Sequence, residues 1–280
     1  MCQPLFDDIH DVQERIAQAT HVLVCLDYDG TLTHFTAHPI GAHLSPHMER
    51  VLMSLAEHGH ATLAIVSGRD RNDLQNRVGI PGVTYVGNHG LEISGPGYLF
   101  VEPMSASHVA AFQALTDQLS EELQSINGVI VENKGLTISV HYRQVHQGEW
   151  AEVGRRVAVV LSGASYGFVM TRGEKVFEIR PAVGWNKGNA LHWIEQQLAK
   201  PGMLMIYVGD DVTDEDAFRA IPDGITVKVG DGSATAARYK LEGTADVRKF
   251  VEWLDEELER KALHHAEALA EEVDMEATIY

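Results

Sequence analysis

The chain has 280 residues, 45% hydrophobic and 22% charged, which suits a globular protein with room for one large domain or two smaller ones. Its formal net charge of −18 repels polyanions, and no run of lysine and arginine offsets it, so nucleic acid is excluded as a partner. An anionic small substrate would need cations or a metal gathered at one place.

No apolar run approaches the ~18 residues of a membrane span, so no membrane partner is expected. The acidic opening MCQPLFDDIHD lacks the pattern of a secretory signal. The two cysteines, Cys2 and Cys25, do not make a disulfide framework, and a cytoplasmic enzyme is expected.

The first part of the chain alternates helices and apolar strands. A helix over 8–19 leads into the strand HVLVCLDYDGT. A helix over 46–58, closed by Gly59, precedes the strand ATLAIVSG, and a helix over 71–78 precedes VTYVGNHG. Each strand runs into a Ser, Asn, Asp or Gly loop, which predicts a doubly wound parallel sheet with ligands at the carboxyl ends of its strands.

From about 93 the pattern changes. A helix over 106–126, the alternating strands GVIVENK and LTISVHYR, a helix over 149–161, and the strands YGFVMT and KVFEIRP predict an α+β unit with an antiparallel sheet. After 181 the first pattern returns. WNKGNALHWIEQQLA reads as a helix, MLMIYVGDD as a strand, TDEDAFRAI as a helix and ITVKVG as a strand, and a final helix over 247–258 packs on the core. The predicted architecture is an α/β, doubly wound parallel-sheet (Rossmann-like) core over 1–93 and 182–280, with an inserted α+β domain over 94–181. The alanine-rich acidic tail after Arg260 reads either as a frayed helix or as a partner contact.

Asp27-Tyr28-Asp29-Gly30-Thr31 ends the first strand. Two carboxylates two residues apart share one side of an extended chain, and Gly30 permits a sharp turn close to an anion. Turn chemistry alone also favours Asp in such a loop, but the pair can divide labour, one attacking and the other moving protons. Asp210, Asp211, Asp214, Glu215 and Asp216 follow another buried strand. Some of these acids suit a helix N-terminus, whereas Asp210 and Asp211 precede the helix and offer the oxygen ligands that Mg²⁺ takes. Ser67-Gly68-Arg69 ends a strand where a hydroxyl and backbone N–H groups can hold a phosphoryl oxygen. Lys187 opens a helix against the dipole, where its charge can neutralise a phosphoryl group. Arg69, Asn88 and His89 lie at core strand ends and line the predicted cleft. His264-His265 in the tail has no matching second ligand pair and reads as solvated helix.

LDYDGTL, VSGR, GNHGLE, VENKGLTISVHYR, FEIRP, WNKG and GDDVTDEDAF, in this order, resemble the trehalose-6-phosphate phosphatases of the haloacid dehalogenase superfamily, from about Leu23 to Phe218. The resemblance implies hydrolysis of trehalose 6-phosphate, with Asp27 forming an aspartyl-phosphate and Asp29 first protonating the sugar oxygen and then activating water. It implies Mg²⁺ on Asp27, the backbone carbonyl of Asp29 and Asp210, supported by Asp211 and Asp214, with Ser67, Gly68 and Lys187 on the phosphoryl group. The insert becomes a cap whose Glu132, Lys134 and Glu178 hold the disaccharide, joined by Arg143, His141 and Lys175. A functional pairing with trehalose-6-phosphate synthase follows from the same resemblance. The segment THFTAHPIGAHLSP is less like the family than its flanks. Sucrose-, glucosylglycerol- and mannosylglycerate-phosphate are the alternative substrates, and an inactive regulatory domain is the rival from another class.

Overall fold

The computed structural model describes residues 2–36, 41–164 and 167–278, with side chains through 266. In chain order the first elements are β1 (Gln3–Pro4), α1 (Ile9–Gln18), β2 (His21–Asp27), α2 (Pro46–Glu57), β3 (Ala61–Val66), α3 (Arg71–Val78), β4 (Thr84–Gly87), β5 (Glu92–Gly95) and β6 (Tyr98–Val101). All seven residues of β2 are buried, which requires cover on both faces of its sheet. Val22, Val24 and Leu26 point to one face, and Leu23 and Cys25 to the other.

The first face is covered by α1, α2, α3 and the last helix, α9 (Thr244–Thr278). The second is covered by α7 (Lys187–Leu198) and α8 (Asp214–Ala220), which flank the strand β11 (Met203–Gly209). With β12 (Ile225–Val229) and β13 (Tyr239–Leu241) the sheet has nine strands, in the order β1-β13-β12-β11-β2-β3-β4-β5-β6. Every pairing from β1 to β4 is parallel.

The inserted unit comprises α4 (Pro103–Ala106), α5 (Val109–Leu123), β7 (Ile130–Asn133), β8 (Ile138–His141), α6 (Trp150–Ser162), β9 (Phe168–Gly173) and β10 (Val176–Pro181). Its four strands pair antiparallel in the order β7-β8-β10-β9. One face packs on α5 and α6 through Phe112, Leu115, Leu119, Val153, Val157, Ile138, Val140, Phe177 and Ile179, a hydrophobic cluster of its own. Strand alternation therefore turns Glu132, Ser139, His141 and Glu178 to the opposite face.

The structure departs from the sequence reading in three places. The boundary expected after 93 falls inside β5, because β5 and β6 continue the core sheet as an antiparallel hairpin turned by Gly95-Pro96-Gly97. The helix expected over 106–126 is the shorter α5, and a separate helix, α4, ends at Ala106 before it. Gly59 does not adopt a left-handed helix cap, whereas Gly79, at φ 64°, does. The first position of the strand expected over 166–171 lies outside the described residues; β9 runs over Phe168–Gly173.

Candidate active site

Strands β11, β2 and β3 are adjacent, so their carboxyl ends bring together Asp210, Asp27 and Ser67 from distant parts of the sequence. Asn186 caps α7 by accepting from the Asn189 backbone N–H, and the Asn189 side chain accepts from the Asn186 N–H in return. That capping box fixes Lys187 at the first helical position. Its Nζ, buried, donates to Asp27 Oδ1 at 2.7 Å and to Asp214 Oδ1 at 2.5 Å. Asp214 also accepts from the Tyr207 hydroxyl at 2.7 Å and from the Asp211 backbone N–H at 2.8 Å.

These neighbours separate the carboxylates electrically. Burial pushes Asp27 well above the ordinary range; Lys187 opposes this, and Asp214 and Asp210 add to it. Burial would raise Asp214 too, but Lys187 and its other donors hold it low. Asp210 is pushed up to about 8 by burial and by the charges of Asp214 and Asp211.

One ligand oxygen from each of Asp27, Asp210 and Asp214 lies within 4.8 Å of the others. Three acids crowded at this spacing, two of them pushed toward their protonated forms by burial and by their acidic neighbours, suit a hard divalent cation. Gly30, at φ +88°, is part of the design, since a Cβ there would come within 3.0 Å of the Asp210 carboxylate. Asp211, expected among the metal ligands, is outside this group, and its carboxylate lies toward the β9–β10 hairpin near Gly173.

Asp29 is held from the side. Arg69 Nε and Nη2 donate to its two oxygens, each at 2.7 Å, and Arg69 Nη1 donates to Asp73 at 2.9 Å. Asp73 in turn accepts from Arg77 Nε at 2.7 Å, and the Arg69 guanidinium lies over the Tyr28 ring. Arg69 was expected to touch substrate. It lines the cleft, but its planar fork is spent orienting Asp29. Ser67 Oγ accepts from the Arg69 backbone N–H at 3.1 Å, which closes the loop around Gly68. A Cβ on Gly68 would strike the His89 ring, so only glycine fits there.

A cleft with a cavity volume of about 140 Å³ separates these groups from the polar face of the insert. Asp27, Asp29, Ser67, Gly68, Arg69, His89 and Lys187 line it from below; Glu132, Lys134, His141, Arg143, Lys175 and Glu178 line it from above. Glu132 accepts from His141 at 2.8 Å. Glu178 accepts from Ser139 Oγ at 2.8 Å, with Lys134 Nζ and His89 Nε2 at 3.5 and 3.4 Å. Arg143 lies over the Phe35 ring and Lys175 over the Trp150 ring. Asn88 is the one substrate-contact candidate that does not line the cleft; it is fully buried under the cap turn.

Sequence reasoning missed Tyr207, Asp73 and Phe35. Tyr207 carried a usable signal, since it lies two residues before Gly209 on a strand aimed at the site.

His89 and Glu178 make stability pH-dependent in separate windows. Burial pushes His89 down to about 4, with Glu178 pulling the other way. Between pH ~6.5 and ~4 the unfolded chain takes up a proton there that the folded chain refuses, so stability falls as pH drops, by up to ~3 kcal/mol. His21, also pushed to about 4 by burial and Lys200, contributes in the same window. Burial would raise Glu178, but Lys134, His89 and Ser139 hold it well below the carboxylate range. Its contribution is lost only as pH falls below ~4. The variant H89N, which tolerates the left-handed backbone at this position (φ 58°), should flatten part of the slope above pH 4 in urea titrations. An unchanged slope would rule out this account.

The fold is of the α/β class: an open sheet, parallel but for its β4–β5–β6 edge, with acids at adjacent strand ends facing an inserted α+β unit. Residues 25–245 match the trehalose-phosphatase family, and the chain belongs to it. The trehalose-phosphate phosphatase of Mycobacterium avium (strain 104) is 36% identical over 252 residues, covering 86% of this chain and 63% of that protein. That of Mycobacterium marinum is 38% identical over 238 residues, covering 81% and 60%. The chain thus spans less than two thirds of the length of these curated relatives. Among solved structures, the C-terminal domain of C. albicans trehalose-6-phosphate phosphatase superposes with a TM-score of 0.77 at 21% identity, covering 91% of this chain and 98% of that one. The Aspergillus fumigatus trehalose-6-phosphate phosphatase does so at 0.62 and 26% identity, covering 91% and 99%. Among the described residues, no helix is long and apolar enough to cross a membrane.

Proposed function

We propose that the chain hydrolyses trehalose 6-phosphate to trehalose and phosphate, with Mg²⁺, through an aspartyl-phosphate on Asp27. The observation that supports this most is the contact of Asp27 with Lys187 at the floor of a cleft roofed by Glu132, Lys134 and Glu178. An oxygen of Asp27 attacks phosphorus and the bond to the sugar oxygen breaks. Asp29 gives that oxygen a proton, so trehalose leaves neutral. In the second step Asp29 takes a proton from water, the water oxygen attacks phosphorus, and phosphate leaves Asp27 as a carboxylate again. A protonated carboxyl cannot face two guanidinium donors, so Asp29 gives up one of its bonds to Arg69 whenever it carries the proton. Lys187, Ser67 and the backbone N–H groups around Gly68 bear on the phosphoryl oxygens. Mg²⁺ held by Asp27, the Asp29 carbonyl and Asp210 would supply further charge neutralisation there.

Cap carboxylates and ammonium groups suit a ligand rich in hydroxyls because their hydrogen bonds to it are charge-assisted. On this reading the substrate arrives from trehalose-6-phosphate synthase, and the reaction is cytoplasmic. The test is phosphate release from a panel of trehalose 6-phosphate, sucrose 6-phosphate, glucosylglycerol phosphate and mannosylglycerate phosphate, with Mg²⁺ and with chelator. Trehalose 6-phosphate should lead by about tenfold or more in kcat/KM, the scale of one good pocket contact. Chelation should lower the rate by about a hundredfold or more. A different preferred sugar, or full activity in chelator, would sink the corresponding half of the reading.

A further inference from the structure

Asn88 is wholly buried, in left-handed backbone at φ 47°, and it joins three parts of the molecule. Its backbone N–H donates to the Arg69 carbonyl at 2.6 Å, and the next N–H, of His89, donates to Ser67 at 3.0 Å, which fastens it to the phosphate loop. Its side-chain Nδ2 donates to Glu92 at 2.7 Å and across to the cap, to the Lys134 carbonyl at 3.1 Å. Its Oδ1 accepts from the Thr137 hydroxyl at 2.6 Å. Thr137 is itself fully buried, and the turn between Lys134 and Thr137 is closed by the Lys134 N–H on the Thr137 carbonyl at 2.9 Å. The same turn sends Lys134 Nζ to the Gly68 carbonyl at 2.9 Å and toward Glu178.

We infer that Asn88 is a positioning residue: it seats the 134–137 turn of the cap on the phosphate loop, and so sets Lys134 and, through it, Glu178 over the cleft. The amide is matched to this task. One end donates to a carbonyl and a carboxylate, and the other accepts a hydroxyl, so neither a carboxylate nor an apolar group can replace it. The inference rests on the reading of Lys134 and Glu178 as groups that hold the sugar.

The variant N88D keeps the shape but turns an oxygen toward the Lys134 carbonyl and Glu92. T137V removes only the hydroxyl and serves if N88D fails to fold. Each should raise KM for trehalose 6-phosphate, N88D by about tenfold, with kcat within about twofold. N88D combined with K134A should be no worse than K134A alone, because the first acts through the second. Hydrogen exchange read on the wild type, N88D and T137V does not depend on which sugar is cleaved. The amides of 134–137 should exchange about tenfold faster in both variants. Additive losses in the double variant, a fall in kcat with KM unchanged, or unchanged exchange in the turn would each overturn the inference. A wild type that prefers another sugar would instead overturn the substrate reading, with the exchange measurement still deciding this one.

Discussion

Replacing Asp27 by Asn is expected to abolish phosphate release, by about 10⁴-fold or more, while leaving the chain folded and no less stable than wild type. On the proposed mechanism the loss follows from chemistry: the amide has no nucleophilic oxygen to form the covalent bond to phosphorus. The stability follows from electrostatics. Asp27 sits 5% exposed beside Asp214 and Asp210, with the Lys187 ammonium shared between Asp27 and Asp214, and its carboxyl is pushed well above the ordinary range. An acid whose folded pKa is raised opposes folding once it ionises, so a neutral isostere removes that opposition at pH 7. Lys187 keeps its partner Asp214 in the variant, so no buried cation is stranded. Thermal melting in chelator beside steady-state phosphate release reads both effects. Wild-type turnover by D27N would refute the nucleophile, and a large drop in melting temperature in chelator would refute the account of the charge cluster.

That cluster also shows what a sequence can disclose. The buried strand His21–Asp27 is legible because a short apolar run rich in Val, ending in Asp and followed by a Gly turn, suits a strand covered on both faces better than a helix. The antiparallel sheet of the insert is legible from the alternation in ENKGLTISVHY. By contrast, β1 and β13 are two and three residues long, too short to show any period, so the edge of the sheet was invisible. Asp27 and Lys187 are 160 positions apart, and only the strand order makes them neighbours. An acid at a strand end nominated the first and a lysine opening a helix the second, and the family pattern linked them.

Side-chain direction was the part that could not be read. Nothing in Ser-Gly-Arg says that the guanidinium of Arg69 turns back onto Asp29 and not outward to a ligand. Asn88 likewise looks like any polar residue at a strand end until the cap turn is seen resting on it. In the acidic run after β11, Asp214 joins the central group and Asp211 does not: Lys187 and Tyr207 hold Asp214 there, and the Asp211 N–H donates to Asp214 Oδ2. That bond folds the first turn of α8 back against the strand and sends Asp211 toward the cap. The net charge of −18 sharpened the site in another way, because it demanded local cations, and Lys187 and Arg69 are the two that the structure sets against Asp27 and Asp29.

The variant K187M should be the most destabilising single change at the site. Lys187 is 2% exposed and touches two carboxylates that are themselves buried. Methionine fills much the same volume, so packing is nearly preserved and the effect is electrostatic. Removing one partner from a buried charge cluster leaves the others uncompensated, which costs about 3–5 kcal/mol. At neutral pH the loss takes the form of Asp27 and Asp214 facing each other without a cation between them. Both would then favour their protonated forms: Asp27, already raised, rises further, and Asp214 loses the cation that holds it low and rises too. Groups shifted upward in this way stabilise the fold when protonated, so the deficit of K187M should shrink as pH falls toward 5, opposite in sign to the slope that His89 gives the wild type. Urea midpoints for both proteins at pH 7.5, 6.5 and 5.5 measure the difference directly. A deficit that stays constant with pH would mean that Lys187 stabilises the core by packing alone, and its contact with Asp27 would then carry no electrostatic weight.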